Sequence, residues 1–390
     1  MGRQAIRSTV HSMDTFEICG IPGDLPAAYS MLSASAAKTE SPCLVIIFVY
    51  NIFSKAGYFS GARVFDPQEV SMGSRKRIVI FGGGSGLSQL LKGISQFPWD
   101  VTAVVSVSDN GKSTGALRKE FDIPAVGDIT KVMMAMSEKP DAVKDLFMYR
   151  FSKGSGLEGH SIKNLIMTAL LEMNGDFAHS IPILCDLLDV KGHLYPVTED
   201  NVDLIGITRR GRRIVGEEQI TKDRSSVKEL IYDKPVHVSP QVLSALKKAN
   251  LIVFSSGSLV TSILPHIIIP EIQDAVRSAK AKKIYVCNMI TQPGETDGFS
   301  VSDHIRVMER YLGESTFDAV IANDGRLPGD IATMARSEGK DPVSVDLERL
   351  KEMGIDLIEE HLAVIEDGYL RHNSLKTAYL MFSYLMDSSR

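Results

Sequence analysis

The sequence predicts a three-layer α/β fold with a mainly parallel sheet, and three observations carry that prediction. Ile78 to Phe81 are apolar without alternation, the pattern of a strand buried on both faces. Glycine follows at 82, 83, 84 and 86, and Leu87, Leu90, Leu91 and Ile94 then recur at helical spacing. From Met72 onward, strand-like and helix-like stretches alternate, as in a parallel sheet covered on both faces. One interval, about 194–238, breaks the alternation. There Val202–Ile207, the turn Arg209-Arg210-Gly211-Arg212-Arg213 and Ile214–Val215 read as a β-hairpin. The expectation is a Rossmann-like α/β/α body over 72–390 with a small β-hairpin insertion.

Taken in order, residues 1–71 show no sustained period and no motif. They are expected to be a poorly ordered extension, or the product of a start assigned too far upstream. Cys43–Phe53 is an apolar run of eleven residues, too short to span a bilayer. A strand at Val101–Ser106 follows the first glycine turn. Helices are expected at Asp128–Met136, Asp141–Phe151, Ile162–Met173 and Asp176–Leu188, with Pro182 a candidate kink. Further buried strands are expected at Leu251–Phe254, Lys283–Cys287 and Ala319–Ala322, and a closing helix at 374–386.

The totals exclude several classes. The 390 residues are 44% hydrophobic and 23% charged, with a net charge of -5. No broad basic face is implied, so nucleic acid is not an expected partner. The arginine cluster at 209–213 reads as a solvated hairpin tip rather than a phosphate clamp. The four cysteines, Cys19, Cys43, Cys185 and Cys287, are widely spaced, which suits a reducing cytoplasm better than a disulfide framework or zinc site. No membrane span is expected.

The chemistry centres on glycine-rich strand ends. A glycine turn lets the backbone approach an anion, and the helix that follows offers free N–H groups and a positive dipole end. Ser108 to Gly115, after the second strand, imitates two motifs. Gly111-Lys112-Ser113 looks like the end of a P-loop, but Ser106 stands where its first glycine belongs. Asp109 lies where a dinucleotide fold places its ribose-binding acid, yet Gln89 stands where the third glycine of that fingerprint falls. Asp109 therefore stays open between a ligand or divalent-ion contact and a turn-forming residue bonded to its own backbone. Asp128 opens a helix. His160 and Asn164 lie four apart around a helix start that Ser161 would cap. Phe254–Ser262 runs from a strand into a hydroxyl-rich turn, and Asn288–Gly298 reads as a rigid ligand-facing loop.

Several segments together carry a resemblance: Phe81-GGGSGLSQLLKGI, Val101-TAVVSVSDNGKSTGALRKE, Asp122-IPAVGDI, Gly159-HSIKNL, Ser256-GSLVTSILP and Tyr285-VCNMITQPGETDGF. They are similar to the YvcK-like proteins, often called gluconeogenesis factors, which are related to the CofD-like 2-phospho-L-lactate transferases. The resemblance implies a Rossmann-like fold and a cytoplasmic regulatory protein. It would bind a UDP-sugar such as UDP-N-acetylglucosamine, support growth on gluconeogenic carbon sources and normal cell shape, and require no cofactor. The alternative is a transferase that moves a phospholactyl group from a GDP-linked donor to a deazaflavin, with Mg2+ held by Asp109 and Asp128. Under the first reading Gly83, Gly84, Ser85 and Gly86 cradle the diphosphate, with Gly257 and Ser258 as a second donor group. Asp109, Asn110, Lys112, His160, Asn164, Asn288 and Arg371 then touch sugar, base or phosphate. A homo-oligomer, a dimer, is the expected assembly. The chain departs from the family pattern at Asn110-Gly111-Lys112, where an acid and two glycines are usual. It also departs at Thr130-Lys131, at Lys163 in place of glycine, and at Ser255-Ser256 in place of Gly-Pro. Lys112 and Lys131 add positive charge near the expected crevice, which would compensate for an absent metal.

Overall fold

The structure is a computed structural model and describes residues 75–154, 156–223 and 227–387. The expectations for residues 1–71, including the apolar run Cys43–Phe53, lie outside the described residues. In chain order the first half runs β1 (Lys76–Gly82), α1 (Gly84–Ile94), β2 (Trp99–Val105), α2 (Lys112–Phe121), α3 (Gly127–Met136), α4 (Asp141–Met148), α5 (Ile162–Asn174), α6 (Phe177–Leu188) and β3 (His193–Pro196). An insertion follows: β4 (Leu204–Thr208), β5 (Arg213–Val215), α7 (Glu217–Asp223) and β6 (Val227–Tyr232). The second half runs α8 (Pro240–Lys248), β7 (Leu251–Phe254), a π-helical turn (Leu259–Ile263), α9 (Leu264–Ile267), α10 (Pro270–Ser278), β8 (Lys282–Val286), α11 (Val301–Leu312), β9 (Ala319–Asn323), α12 (Gly329–Ser337), α13 (Leu347–Glu352), β10 (Asp356–Glu360), β11 (Ala363–Glu366), β12 (Tyr369–His372) and α14 (Ser374–Asp387).

Seven strands form one parallel sheet in the order β10-β9-β8-β7-β1-β2-β3. Residues of β1 alternate between its two faces. Val79 and Phe81 join the core built with α8, α10 and α11. Phe81 stacks on Phe254 of β7, ring centroids 5.1 Å apart. On the other face α1 packs against α3 and α14. Strand order reverses beside β1: β2 follows on one side, while β7 pairs on the other after a long excursion. Such a reversal splays the connecting loops apart and leaves a crevice at the strand ends.

The expected hairpin is present as β4 and β5, and β6 pairs on the other side of β4 to complete a three-stranded antiparallel sheet, β5-β4-β6. The short helix α7 separates β6 from the hairpin, so the residues of β6 are not adjacent to their partners in sequence. The insertion begins later than 194, because Leu194 and Tyr195 belong to edge strand β3 of the main sheet. The tip itself is as expected: Gly211, at φ +78, turns the chain between Thr208 and Arg212. α4 ends at Met148, short of Phe151, because Phe151 pairs with the strand-like segment before α5 through its N–H to His160 O. Pro182 lies within α6 without ending it.

The fit of α1 against α14 supplies a stability test. A Cβ on Gly93 would lie 2.0 Å from the backbone oxygen of Ser374. Gly93→Ala is expected to destabilise the fold by about 1–3 kcal/mol, the usual cost of overpacking against backbone. Gly329→Ala, where an added Cβ meets nothing within 4 Å, should stay within about 0.5 kcal/mol. Urea unfolding midpoints of the two variants check both.

Candidate functional site

The reversal between β1 and β7 opens into a cleft of ≈ 450 Å³. One wall is the glycine turn itself, Gly83, Gly84, Ser85 and Gly86. Around it stand Ser256, Gly257 and Ser258 after β7, Asn288 to Gln292 after β8, Asp128 and Lys131 of α3, Glu217 of α7, and Leu370, Arg371 and His372 of β12. Sequence-distant strand ends thus meet at one place.

The turn leaves no room for side chains. A Cβ on Gly82 would lie 2.1 Å from Ser255 Oγ, one on Gly83 2.7 Å from Asp128 Oδ2, and one on Gly86 2.1 Å from the backbone oxygen of Ser256. Gly84 is held at φ +53, a conformation glycine adopts at no steric cost. α1 has no side-chain cap, so its first amides have no intrahelical partner. The Gly84 amide already bonds the Asp128 carboxylate. The amides of Ser85 and Gly86 are then the ones that face an incoming anion. Lys131 Nζ donates to Ser85 Oγ at 2.6 Å, placing a cation on the turn.

The second donor group is partly committed. Ser258 Oγ donates to Glu295 Oε2 at 2.5 Å and accepts from Thr261 N at 2.9 Å. The Gly257 N–H donates to Ser255 O at 3.0 Å. Asn288 is a brace: Nδ2 donates to Gly257 O at 2.9 Å, and Oδ1 accepts from Tyr285 OH at 3.2 Å. His372 ties β12 to the same corner through Ser256 Oγ and Cys287 O, at 3.2 and 3.0 Å. Beside it Arg371 lies over the Tyr369 ring, 5.1 Å from its centroid.

Five expected ligand residues lie outside this lining. Asp109 Oδ1 accepts from Gly111 N at 2.9 Å and Oδ2 from Thr114 Oγ1 at 2.8 Å, the self-bonded turn that the sequence left open. Asn110 Oδ1 accepts from Glu218 N at 2.8 Å. Asn110 and Lys112 line a separate groove of ≈ 880 Å³ between α2 and the insertion, so Lys112 does not join Lys131. His160 and Asn164 do converge, but on each other's neighbour: His160 Nδ1 and Asn164 Nδ2 both meet Ser113 Oγ, at 3.1 and 3.2 Å. Ser161 occupies the N-cap position of α5, yet its hydroxyl makes no capping bond.

Charge in the cleft is mixed. The Asp128 carboxyl is pushed up to about 7, by burial first and by the negative charge of Asp109 second; Lys131, Lys163 and the Gly84 amide oppose the rise. Glu217 is pushed up to about 8 by burial and then by Asp109 and Asp128. Lys163, buried behind α3, donates to Gly127 O, Thr130 Oγ1 and Asn164 Oδ1. Burial lowers it to about 8, against the pull of Asp128. Sequence reasoning did not single out Glu217, Gln292 or Lys163 as site residues. Glu217 sits in the insertion with no motif around it, and only its place in the cleft beside the π-helical turn reveals it. Among the described residues no group of three or more His, Cys, Asp or Glu side chains could hold a metal ion. Both Asp109 oxygens accept hydrogen bonds within the protein, and Asp128 lies near enough for the Asp109 charge to help raise it.

A family profile described as 2-phospho-L-lactate transferase CofD matches residues 78–363. The chain belongs to the CofD family. Within it, the chain is 37% identical over 317 residues to the gluconeogenesis factor of Bacillus subtilis, covering 81% of this chain and 100% of that one. It is 41% identical over 308 residues to a putative gluconeogenesis factor of Thermotoga maritima, covering 77% of this chain and 97% of the relative. A crystal structure of a Bacillus halodurans protein superimposes with a TM-score of 0.77 at 36% identity, over 79% of this chain and all of that one. This CofD-family chain thus sits among relatives named as gluconeogenesis factors, and the expected fold and family both hold. Among the described residues no single helix is long and apolar enough to cross a membrane.

The buried acids set a pH dependence. An acid raised by folding binds its proton more tightly in the folded state. Its contribution to stability is present below the unfolded value, 3.8 for Asp128, and is lost as pH climbs to about 7. Asp128→Asn mimics the protonated form. Relative to wild type, it should therefore be more favourable at pH 7.5 than at about pH 5. Denaturant midpoints at the two pH values check the sign, and an equal effect at both would show that Asp128 does not titrate in this range.

Proposed function

We propose that this protein is a regulatory binder of a nucleoside diphosphate sugar, of the UDP-N-acetylglucosamine type, that supports growth on gluconeogenic carbon sources and cell shape. The observation that carries the reading is the uncapped start of α1. Its Ser85 and Gly86 amides open into the cleft beside Lys131, an arrangement suited to a diphosphate. Arg371 and Lys340 also line the cleft and add positive charge to it. Names of relatives as gluconeogenesis factors support the physiological part. The alternative, a transferase that would hold Mg2+ on Asp109 and Asp128, is not favoured by the names of these relatives.

Isothermal titration with UDP-N-acetylglucosamine tests the reading, with and without EDTA. Binding should be unaffected by the chelator. Lys131→Ala should weaken it by about ten- to a hundredfold, the scale of a charge-assisted hydrogen bond, and flatten its salt dependence. Lys112→Ala should change it by less than about twofold, the size of an exposed charge outside the site. Wild-type protein that ignores UDP-sugars, or needs Mg2+ and GDP to bind, would sink the proposal. Complementation of a Bacillus subtilis strain lacking its gluconeogenesis factor tests the physiology: wild type should restore growth on a gluconeogenic carbon source, and Lys131→Ala should restore less.

A further inference from the structure

We propose that the outer side of α5, with the flank of α6 beside it, is the surface through which two copies of this chain associate, packed about a twofold axis with their α5 helices antiparallel. The inference gives the expected homo-oligomer a surface, and it stands independently of the ligand in the cleft.

α5 is apolar on both sides. Its inner side, with Met167, Thr168 and Leu171, is buried. Its outer side repeats Ile162, Ile166, Ala169 and Met173; the two isoleucines are half-buried, Ala169 is exposed, and Met173 is 78% exposed. Buried Lys163 and exposed Glu172 are its only charged residues. A surface helix ordinarily turns a polar side to water, and one that is apolar all round is a helix that something covers. The patch continues onto α6. Ser180, Ile183 and Leu187 lie on one row at i, i+3 and i+7. Ser180 lies against α5, its hydroxyl donating to Leu170 O at 3.0 Å. Ile183 and Leu187, 48% and 56% exposed, follow it along that row. Exposed Tyr149 adjoins the start of α5, its carbonyl accepting from Ile162 N at 3.1 Å. Single exposed apolar side chains are ordinary, but a set gathered in this way marks an interaction surface.

Two features select a second copy as the occupant. The first is spacing. The outer residues of α5 are separated by four, three and four positions, the rhythm of a helix–helix seam. That series reads the same in both directions. An antiparallel copy therefore presents the same seam, with Ile162 of one opposite Met173 of the other and Ile166 opposite Ala169. A twofold interface requires such self-complementarity. The second is charge. Arg150, exposed, pairs with Ser161 in a β-bridge at the start of α5, and Glu172 stands in its last turn. Each lies at the helix end whose partial charge repels it. Antiparallel packing carries Glu172 of each copy to the start of the other copy's α5, beside Arg150, and relieves both mismatches at once. A stable interface buries about 1,200 Å² or more in total, more than one helix seam supplies, so the α6 row belongs to the contact.

Sedimentation velocity of the full chain under reducing conditions tests this, and a dimer is expected at micromolar protein. Ala169→Glu should weaken it by about a hundredfold or more, because the twofold axis places the unpaired carboxylate in the seam twice. An unchanged circular dichroism spectrum checks that the variant folds. Glu172→Arg should weaken the dimer by about three- to thirtyfold, the scale of two exposed charge pairs. Adding Arg150→Glu should bring it back to within about threefold of wild type. Wild-type protein that stays monomeric at every concentration, as when another segment or partner covers the face, overturns the proposal. So does a dimer indifferent to Ala169→Glu. Failure of Arg150→Glu to rescue Glu172→Arg overturns the antiparallel pairing.

Discussion

The close approach of the β1–α1 turn to the backbone around it governs the rest of the structure. Gly82 and Gly86 abut Ser255 and Ser256 of the turn after β7, and Gly83 abuts the Asp128 carboxylate; at each an added Cβ would lie under 3.0 Å from its neighbour. A methyl group at any of these positions pushes α1 away from β7 or displaces Asp128. The turn therefore sets where the helix dipole points, how wide the crevice opens, and which acid shares the anion's seat. The parallel sheet supplies the crevice, and the absence of side chains lets backbone amides line it.

That proximity places a carboxylate where a phosphate would sit, and the surrounding charges make the arrangement tolerable. Asp128 is held toward its neutral form by burial and by Asp109, and Glu217 by burial, Asp109 and Asp128. Lys131 bonds Ser85 on the turn itself, and Lys163 lies buried behind α3 within the field of Asp128. Two lysines thus stand where relatives of the chain are expected to carry other residues. An ammonium acts as a point charge on phosphate oxygens, so Lys131 is the group on the turn that the proposed diphosphate would meet.

Much of this was legible in the residues. Ile78–Phe81, Leu251–Phe254 and Ala319–Ala322 are continuous apolar runs, and burial on both faces of a parallel sheet demands such runs. The glycine turn was legible because only a close backbone approach rewards so many glycines in succession. For Asp109, His160 and Asn164 the resemblance implied ligand contacts, while the residues alone left Asp109 open; in the structure the three bond to Gly111, Thr114 and Ser113. A polar residue in a loop offers the same atoms to its own chain as to a ligand, so type and spacing do not separate the two uses. Lys112 was expected near the crevice, yet α2 carries it to the groove on the insertion side.

The sequence by itself determined the strand–turn–helix units, which rest on local periodicity and short-range sterics, and it carried the motif segments on which the family resemblance rests. Tertiary structure decided the membership of the site. Glu217 arrives from the insertion, Gln292 from the loop after β8 and Arg371 from a strand near the C-terminus. Their meeting depends on strand order and on the packing of α7 and β12, which are sums of many distant contacts. It also decided the charge state of the acids. Burial and neighbouring carboxylates raise Asp128 and Glu217, and neither influence exists until the chain has folded.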